Sequence, residues 1–157
     1  WFHTGDIGIL IDGYLKITDR KKNIIVTAGG KNIAPAPIEG ALIMNKFFEQ
    51  ALVHGDRRKF VCAILVPNFT EVGEWAAENE IADTSPEALC DNPKVYEMLK
   101  GEVETVMQDF SGYEAVKKFI LLPREFSIED GTLTPTLKIK KRVVEERYKA
   151  KIDALYE

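Results

Sequence analysis

The sequence predicts an α+β fold, a β-hairpin strip followed by a small mixed sheet packed with helices. Three observations carry that expectation. Residues 7–27 are short β-prone runs separated by tight-turn residues. Phe60-Val61-Cys62-Ala63-Ile64-Leu65-Val66 is apolar without alternation, as a strand covered on both faces must be. Beyond Asn92-Pro93, Val95, Leu99, Val103, Val106 and Phe110 recur every three or four positions, the pattern of an amphipathic helix.

The elements follow in order. Ile7 to Ile11 is apolar, Asp12-Gly13 is a two-residue hairpin turn, and Tyr14 to Thr18 is the return strand. Asn23 to Thr27 reads as a further short strand, and Ala28-Gly29-Gly30-Lys31-Asn32 as a glycine loop. Pro35 and Pro37 open a helix that runs to about Met44, since a first-turn Pro lacks only an N–H that had no partner there. Glu49–His54 and Lys59–Pro67 read as strands joined through Gly55 to Arg58. Asn68 caps a helix carrying Val72, Trp75 and Ala76, and residues 81–91 read as a loop or a short turn of helix. Asn92 caps the long helix, with Pro93 at its first position. Lys118 to Leu122 is a strand stopped by Pro123, and Glu129-Asp130-Gly131 is a turn. Thr132–Ile139 reads as an extended edge or loop because of Pro135. A last helix carries Val144, Tyr148, Ile152 and Leu155 on one stripe. The polar Asp19-Arg20-Lys21-Lys22 between apolar strands marks a domain boundary, with residues 1–21 before it and 22–157 after.

Composition excludes several classes. A chain of 157 residues that is 45% hydrophobic and 29% charged suits a globular domain with one core. No apolar run approaches the roughly 20 residues of a membrane span. Cys62 and Cys90 are too few for a disulfide framework and read as reduced thiols of a cytoplasmic protein. The net charge of −4 does not favour a polyanion, and the local basic clusters lack the interleaved aromatics of a single-strand binder, so no nucleic-acid partner is expected. The chain opens on Trp1 without an initiator Met or a signal-peptide pattern, and it reads as part of something longer.

Three segments carry chemistry. In Thr4-Gly5-Asp6, a carboxylate after a glycine turn can accept two hydrogen bonds from a ribose diol. The second segment runs from Asp12-Gly13-Tyr14 through Asp19-Arg20-Lys21-Lys22 to Gly29-Gly30-Lys31. There, paired glycines let backbone approach a ligand and basic side chains meet phosphate. It is not a Walker loop, which needs Gly-Lys-Ser or Gly-Lys-Thr after a first glycine and four residues. The third is Leu133-Thr134-Pro135-Thr136-Leu137-Lys138-Ile139-Lys140-Lys141-Arg142, a lysine on an extended segment before a helix. Each alone reads more readily as a turn, a structural loop or a solvated basic face.

In this order, the set resembles the adenylate-forming superfamily of acyl-CoA synthetases, luciferases and peptide-synthetase adenylation domains. The Leu133–Arg142 stretch resembles its long-chain fatty acyl branch. The resemblance covers essentially the whole chain, which would be the C-terminal lid domain after the tail of a large N-terminal domain. It implies that Asp6 holds ribose hydroxyls, that Arg20 contacts the nucleotide, and that Lys22 is the hinge. It further implies that Gly29 and Gly30 line the CoA path, that Lys138 serves the adenylation step, and that Lys31 takes over a phosphate contact as a point charge. Many members carry Gly where Leu137 stands, some have Asp at the position of Lys22, and some have Arg shortly after the loop glycine.

The implied partners are fatty acid, ATP and CoA with Mg²⁺, and the absent N-terminal domain, which would supply most of their contacts. Without that domain the chain should be inactive, and the complete enzyme would be cytoplasmic, with room for peripheral membrane contact. Two other readings are a free-standing lid-like module that binds nucleotide or protein without catalysis, and a ligase for another carboxylic acid.

Overall fold

The computed structural model describes residues 2–157; Trp1, grouped above with Thr4 to Asp6, lies outside the described residues. Strand β1 (Asp6–Ile11) pairs antiparallel with β2 (Tyr14–Arg20). Asp12 and Gly13 both take positive φ, 50° and 84°, the left-handed geometry that keeps a two-residue turn in step with strand twist. A bulge between Ile7 and Gly8 shifts the register. A Cβ at Gly8 would stand 2.8 Å from the Lys16 carbonyl, so glycine is required there.

The chain then makes one 3₁₀ turn (Lys21–Asn23), not the start of a strand. Only Ile25–Val26 (β3) is extended, and it pairs with Asn32–Ile33 (β4), of which Asn32 was expected to end the glycine loop. Two residues on each side are too short to show a period-two pattern, which is why the pairing was invisible. Helix α1 (Pro35–Met44) follows as expected.

A three-stranded sheet forms the centre, in the order β5 (Phe48–His54), β6 (Val61–Pro67), β7 (Val116–Leu121). The β5–β6 pair is an antiparallel hairpin and β6–β7 is parallel. A parallel pair needs a crossover, and α2 (Phe69–Glu78), α3 (Pro86–Asp91) and α4 (Pro93–Met107) supply it. Asn68 and Asn92 each accept two N–H groups at the starts of α2 and α4, as their positions predict.

All seven residues of β6 are buried. Val61, Ala63 and Leu65 enter a core with α1, α2 and α4, while Cys62, Ile64 and Val66 enter another with Leu122, Phe126, Leu133, Val144 and Ile152. Cover on both faces explains the unbroken apolar run. The second core rests on helices α5 (Lys141–Arg147) and α6 (Lys149–Ala154), which stand where one helix was expected. Tyr148 leaves helical geometry at φ −103°, ψ 15°, but Val144 and Ile152 stay buried either side of the break. The apolar period survives the kink, so periodicity alone could not locate it.

Candidate functional site

Asp6 and Arg20 are cross-strand partners at the open end of the ribbon, with Arg20 Nε 3.6 Å from the Asp6 carboxylate. Lys21 N–H donates to the Gly5 carbonyl at 2.7 Å, folding the Thr4–Asp6 segment against the 3₁₀ turn. Thr4, Gly5, Arg20, Lys21 and Lys22 line a surface cavity of ≈ 440 Å³. The structure therefore brings the first predicted segment and the basic part of the second into one place.

Asp19 is 7% exposed, and its role was not read from sequence. Its carboxylate accepts Arg20 N–H at 2.6 Å, Asn23 Nδ2 at 3.1 Å and, across to α1, Ala36 N–H at 3.2 Å. Ala34 at the N-cap offers no side-chain acceptor, and Pro35 and Pro37 carry no N–H. Ala36 is thus the donor in need among the first three helical residues, and a carboxylate from β2 meets it. Asp19→Ala should lower stability by about 1–3 kcal/mol, because buried donors lose their acceptor. Urea unfolding would measure the loss; an unchanged midpoint would mean that Asp19 does not secure the turn.

The glycine loop is a closed turn. Gly30 N–H donates to the Thr27 carbonyl (2.9 Å), Lys31 N–H to Thr27 Oγ1 (3.1 Å), and Thr27 N–H to the Lys31 carbonyl (3.0 Å). Gly30 has φ 74°, which favours glycine, while a Cβ on Gly29 would meet only Thr27 Oγ1, at 3.9 Å. Lys31 Nζ lies 5.3 Å from the centroid of the exposed Tyr113 ring, a cation–π placement that holds the ammonium beside the loop. Backbone bonds from Arg57 N–H to Val26 and from Ala28 N–H to Arg58 fasten β3 and the loop to the β5–β6 turn.

Thr132 to Lys140 form a stapled hairpin, not a plain extended edge. Leu133 bridges Ile139, Lys140 N–H donates to the Thr132 carbonyl (2.7 Å), and Thr134 N–H donates to the Lys138 carbonyl (2.8 Å). Leu137 N–H donates to the Thr134 carbonyl (2.9 Å), closing a turn with Pro135 at its second position, where a fixed φ suits it. Lys138 N–H donates to Thr134 Oγ1 (3.0 Å). The Lys138 backbone is thus fully engaged while its side chain is exposed at the hairpin.

Leu137 takes φ 61°, left-handed geometry for a branched residue, and is 70% exposed. This is the position where many resembling sequences carry Gly, and the hairpin shows why: its return bend demands positive φ. Leu137→Gly should be at least as stable as the parent, and Leu137→Val should lose about 1 kcal/mol, since β-branching is worst in this region. Thermal melts of the pair decide it; equal melting temperatures would remove the strain.

The hairpin is held from behind. Leu133 is buried in the second core with Val144, and Thr132 is fully buried. Arg147 donates to the Asp130 carboxylate (2.8 Å) and to the Asp130 carbonyl (2.6 Å). Nearby, His54 Nδ1 lies 2.7 Å from Glu145, and Lys22, Asn23, His54, Arg58, Lys141 and Arg142 help to line a cleft of ≈ 480 Å³. That cleft joins the 3₁₀ turn to the start of α5, although Lys22 and Arg142 are far apart in sequence.

Among the described residues, no group of three or more His, Cys, Asp or Glu is placed to hold a metal ion, and no helix is long and apolar enough to cross a membrane. Cys62 and Cys90 are free thiols.

The fold defines a small α+β domain that presents an exposed lysine on a hairpin. The chain belongs to the AMP-binding enzyme C-terminal domain family, which matches residues 22–157. It is 39% identical over 99% of its length to a long-chain-fatty-acid–CoA ligase of Mycobacterium tuberculosis, and 37% identical over 99% to long-chain-fatty-acid–CoA ligase 1 of Cavia porcellus. It spans 26% and 23% of those relatives, about a quarter of their length. Among solved structures it is similar to the adenylation domain of a carboxylate reductase from Mycobacterium chelonae, with TM-score 0.78 and 26% identity over 99% of this chain and 23% of that one. It is also similar to a Mycobacterium tuberculosis fatty acyl CoA synthetase, with TM-score 0.59 and 29% identity over 96% and 25%.

Proposed function

We propose that this chain is the C-terminal part of a long-chain fatty-acid–CoA ligase that joins fatty acid to AMP and then transfers the acyl group to CoA. The observation that carries it is Lys138, its backbone stapled into a hairpin and its ammonium turned to solvent, in a chain matching such ligases over 99% of its length. Residues 1–21 close the large domain and 22–157 form the lid, with Lys22 as the hinge.

In the first half-reaction the fatty carboxylate attacks the α-phosphorus of ATP and pyrophosphate leaves. Negative charge then crowds between carboxylate and phosphate, and the Lys138 ammonium stabilises it in a site closed to water. Asp6 accepts hydrogen bonds from the ribose hydroxyls, Arg20 contacts the nucleotide beside it, and Lys31 meets phosphate as a point charge. Mg²⁺ would share the charge of the phosphates, held mainly by the large domain; among the described residues no group of three or more His, Cys, Asp or Glu is placed to hold it. In the second half-reaction the CoA thiolate attacks the acyl carbon and AMP leaves. Rotation at Lys22 withdraws Lys138 and brings Gly29 and Gly30 to the pantetheine arm, where the absence of side chains lets backbone approach it closely. The two free cysteines of this chain, Cys62 and Cys90, fit a cytoplasmic enzyme.

The test is an assay of the full-length protein with ATP, CoA and fatty acids of increasing chain length. Release of AMP and pyrophosphate with long-chain acids is expected. Turnover with short or aromatic acids alone would transfer the chain to another ligase class, and binding without turnover would make it a non-catalytic module.

A further inference from the structure

Behind the Lys138 hairpin lies a relay of hydrogen bonds that none of the roles above uses. It starts on α5, where Arg147 grips Asp130 twice, through the carboxylate at 2.8 Å and the backbone carbonyl at 2.6 Å. Asp130 Oδ1 in turn accepts the Thr132 N–H at 2.9 Å and lies within hydrogen-bond reach of the Thr132 hydroxyl. Ser127 closes the ring, donating its N–H to Thr132 Oγ1 at 2.9 Å and accepting the Asp130 N–H on its hydroxyl at 3.1 Å. The Thr132 carbonyl then accepts Lys140 N–H, and the next pair along is Thr134 with Lys138.

This relay is the polar support of the hairpin's base, complementing the apolar support from Leu133 and Val144. Its geometry is directional. A guanidinium fork fixes both the position and the angle of its partner, which a point charge does not. Thr132 is 0% exposed, so its N–H has no water to fall back on if Asp130 turns away, while its hydroxyl keeps the Ser127 carbonyl at 3.2 Å. The hairpin tip, in contrast, has no buried side chain between Thr134 and Lys138. The aim of the Lys138 ammonium is therefore set at the base, by what holds Thr132 and Lys140.

We infer that Asp130 and Arg147 are positioning residues for the adenylation step, a clamp that sets the approach of Lys138 without touching substrate. The inference rests on the reading of Lys138 given above. Hydrogen bonding, from the Thr132 hydroxyl above all and also from Arg147, holds the Asp130 carboxyl well below the usual carboxylate range. The clamp thus stays ionised across the neutral pH range in which such an enzyme would be assayed. No ligand need occupy it, and its effect should fall on one half-reaction only, because Lys138 serves only one.

The test uses the full-length enzyme with both half-reactions measured apart, fatty-acid-dependent ATP–pyrophosphate exchange and thioester formation from supplied acyl-adenylate. Arg147→Ala is expected to slow exchange by roughly 10- to 100-fold, as small misplacements of a catalytic group do, and to leave thioester formation within about twofold. Arg147→Lys, which keeps a charge but loses the fork, should recover part of the rate. Asp130→Asn keeps an acceptor for Thr132 but gives up the ion pair, and should fall between Arg147→Ala and the parent. Amide hydrogen exchange at Lys138 and Lys140 should quicken in Arg147→Ala, with the rest of the sheet unchanged.

An exchange rate within twofold of the parent in Arg147→Ala, or an equal loss in both half-reactions, would overturn the clamp. Lys138→Ala runs alongside as the reference. If it abolishes exchange while Arg147→Ala does nothing, the clamp is wrong and the role of Lys138 stands; if Lys138→Ala leaves exchange intact, the reading of Lys138 falls and the clamp with it.

Discussion

Lys138→Ala in the full-length enzyme is expected to lower acyl-adenylate formation by about 10²–10³-fold, or ~3–4 kcal/mol, as loss of one preorganised charge-stabilising group does. The structure makes this a clean substitution. Both backbone polar groups of Lys138 are occupied within the hairpin, by Thr134 Oγ1 and by Thr134 N–H, and Ala keeps both. The side chain is exposed in this chain, so its removal leaves no cavity and orphans no partner. The folded state should be untouched, and the deficit should appear only where carboxylate meets phosphate. Thioester formation from supplied acyl-adenylate should proceed at the parent rate. An equal deficit in both half-reactions would refute the division of labour between Lys138 and the glycine loop.

Lys22→Pro is the second large effect. A 3₁₀ turn holds φ near −50 to −70°, and Pro fixes φ near −65°, so the substitution suits the turn as it stands and forbids departures from it. Pro after a helical residue is already tolerated in this chain, where Pro37 follows Ala36 in α1. The variant should fold normally, retain one half-reaction and lose at least about tenfold in complete turnover, because the swing between half-reactions becomes rate-limiting. Single-turnover measurement of each half separates this from a folding defect. Full turnover at the parent rate would show that Lys22 is not the pivot.

The architecture was legible wherever local chemistry and tertiary packing agree. Asp12-Gly13, Asn68 and Asn92 announce a turn and two caps because each acts on backbone within three residues, and β6 announces its double cover through composition alone. The β3–β4 pair and the break at Tyr148 were not legible, the first being too short for a period and the second leaving the period intact. For the site, the basic and glycine-rich segments could be marked in sequence, but their grouping could not. Asp6 meets Arg20 because of a bulged register, and Lys22 shares a cleft with Arg142 because β3 and α5 both fasten to the end of β5 and its turn. Asp19 was marked only within the basic boundary segment and Asp130 only as part of a turn, and the roles of both and of Arg147 carried no signal, since a carboxylate that serves distant backbone looks like any polar residue in a loop or at a strand end.

Asp19 also bears on the cost of movement. It precedes Lys22, while two of its donors, Asn23 and Ala36, follow it. A wide rotation at the pivot proposed for Lys22 would pull these apart, so one buried carboxylate would latch its two sides together. Releasing the latch exchanges protein partners for water at about 0.5–1.5 kcal/mol per bond, more for a charged acceptor. The lid would then not drift freely between its two settings. It would rest in a notch, leaving only when contacts with the next ligand outweigh what Asp19 holds.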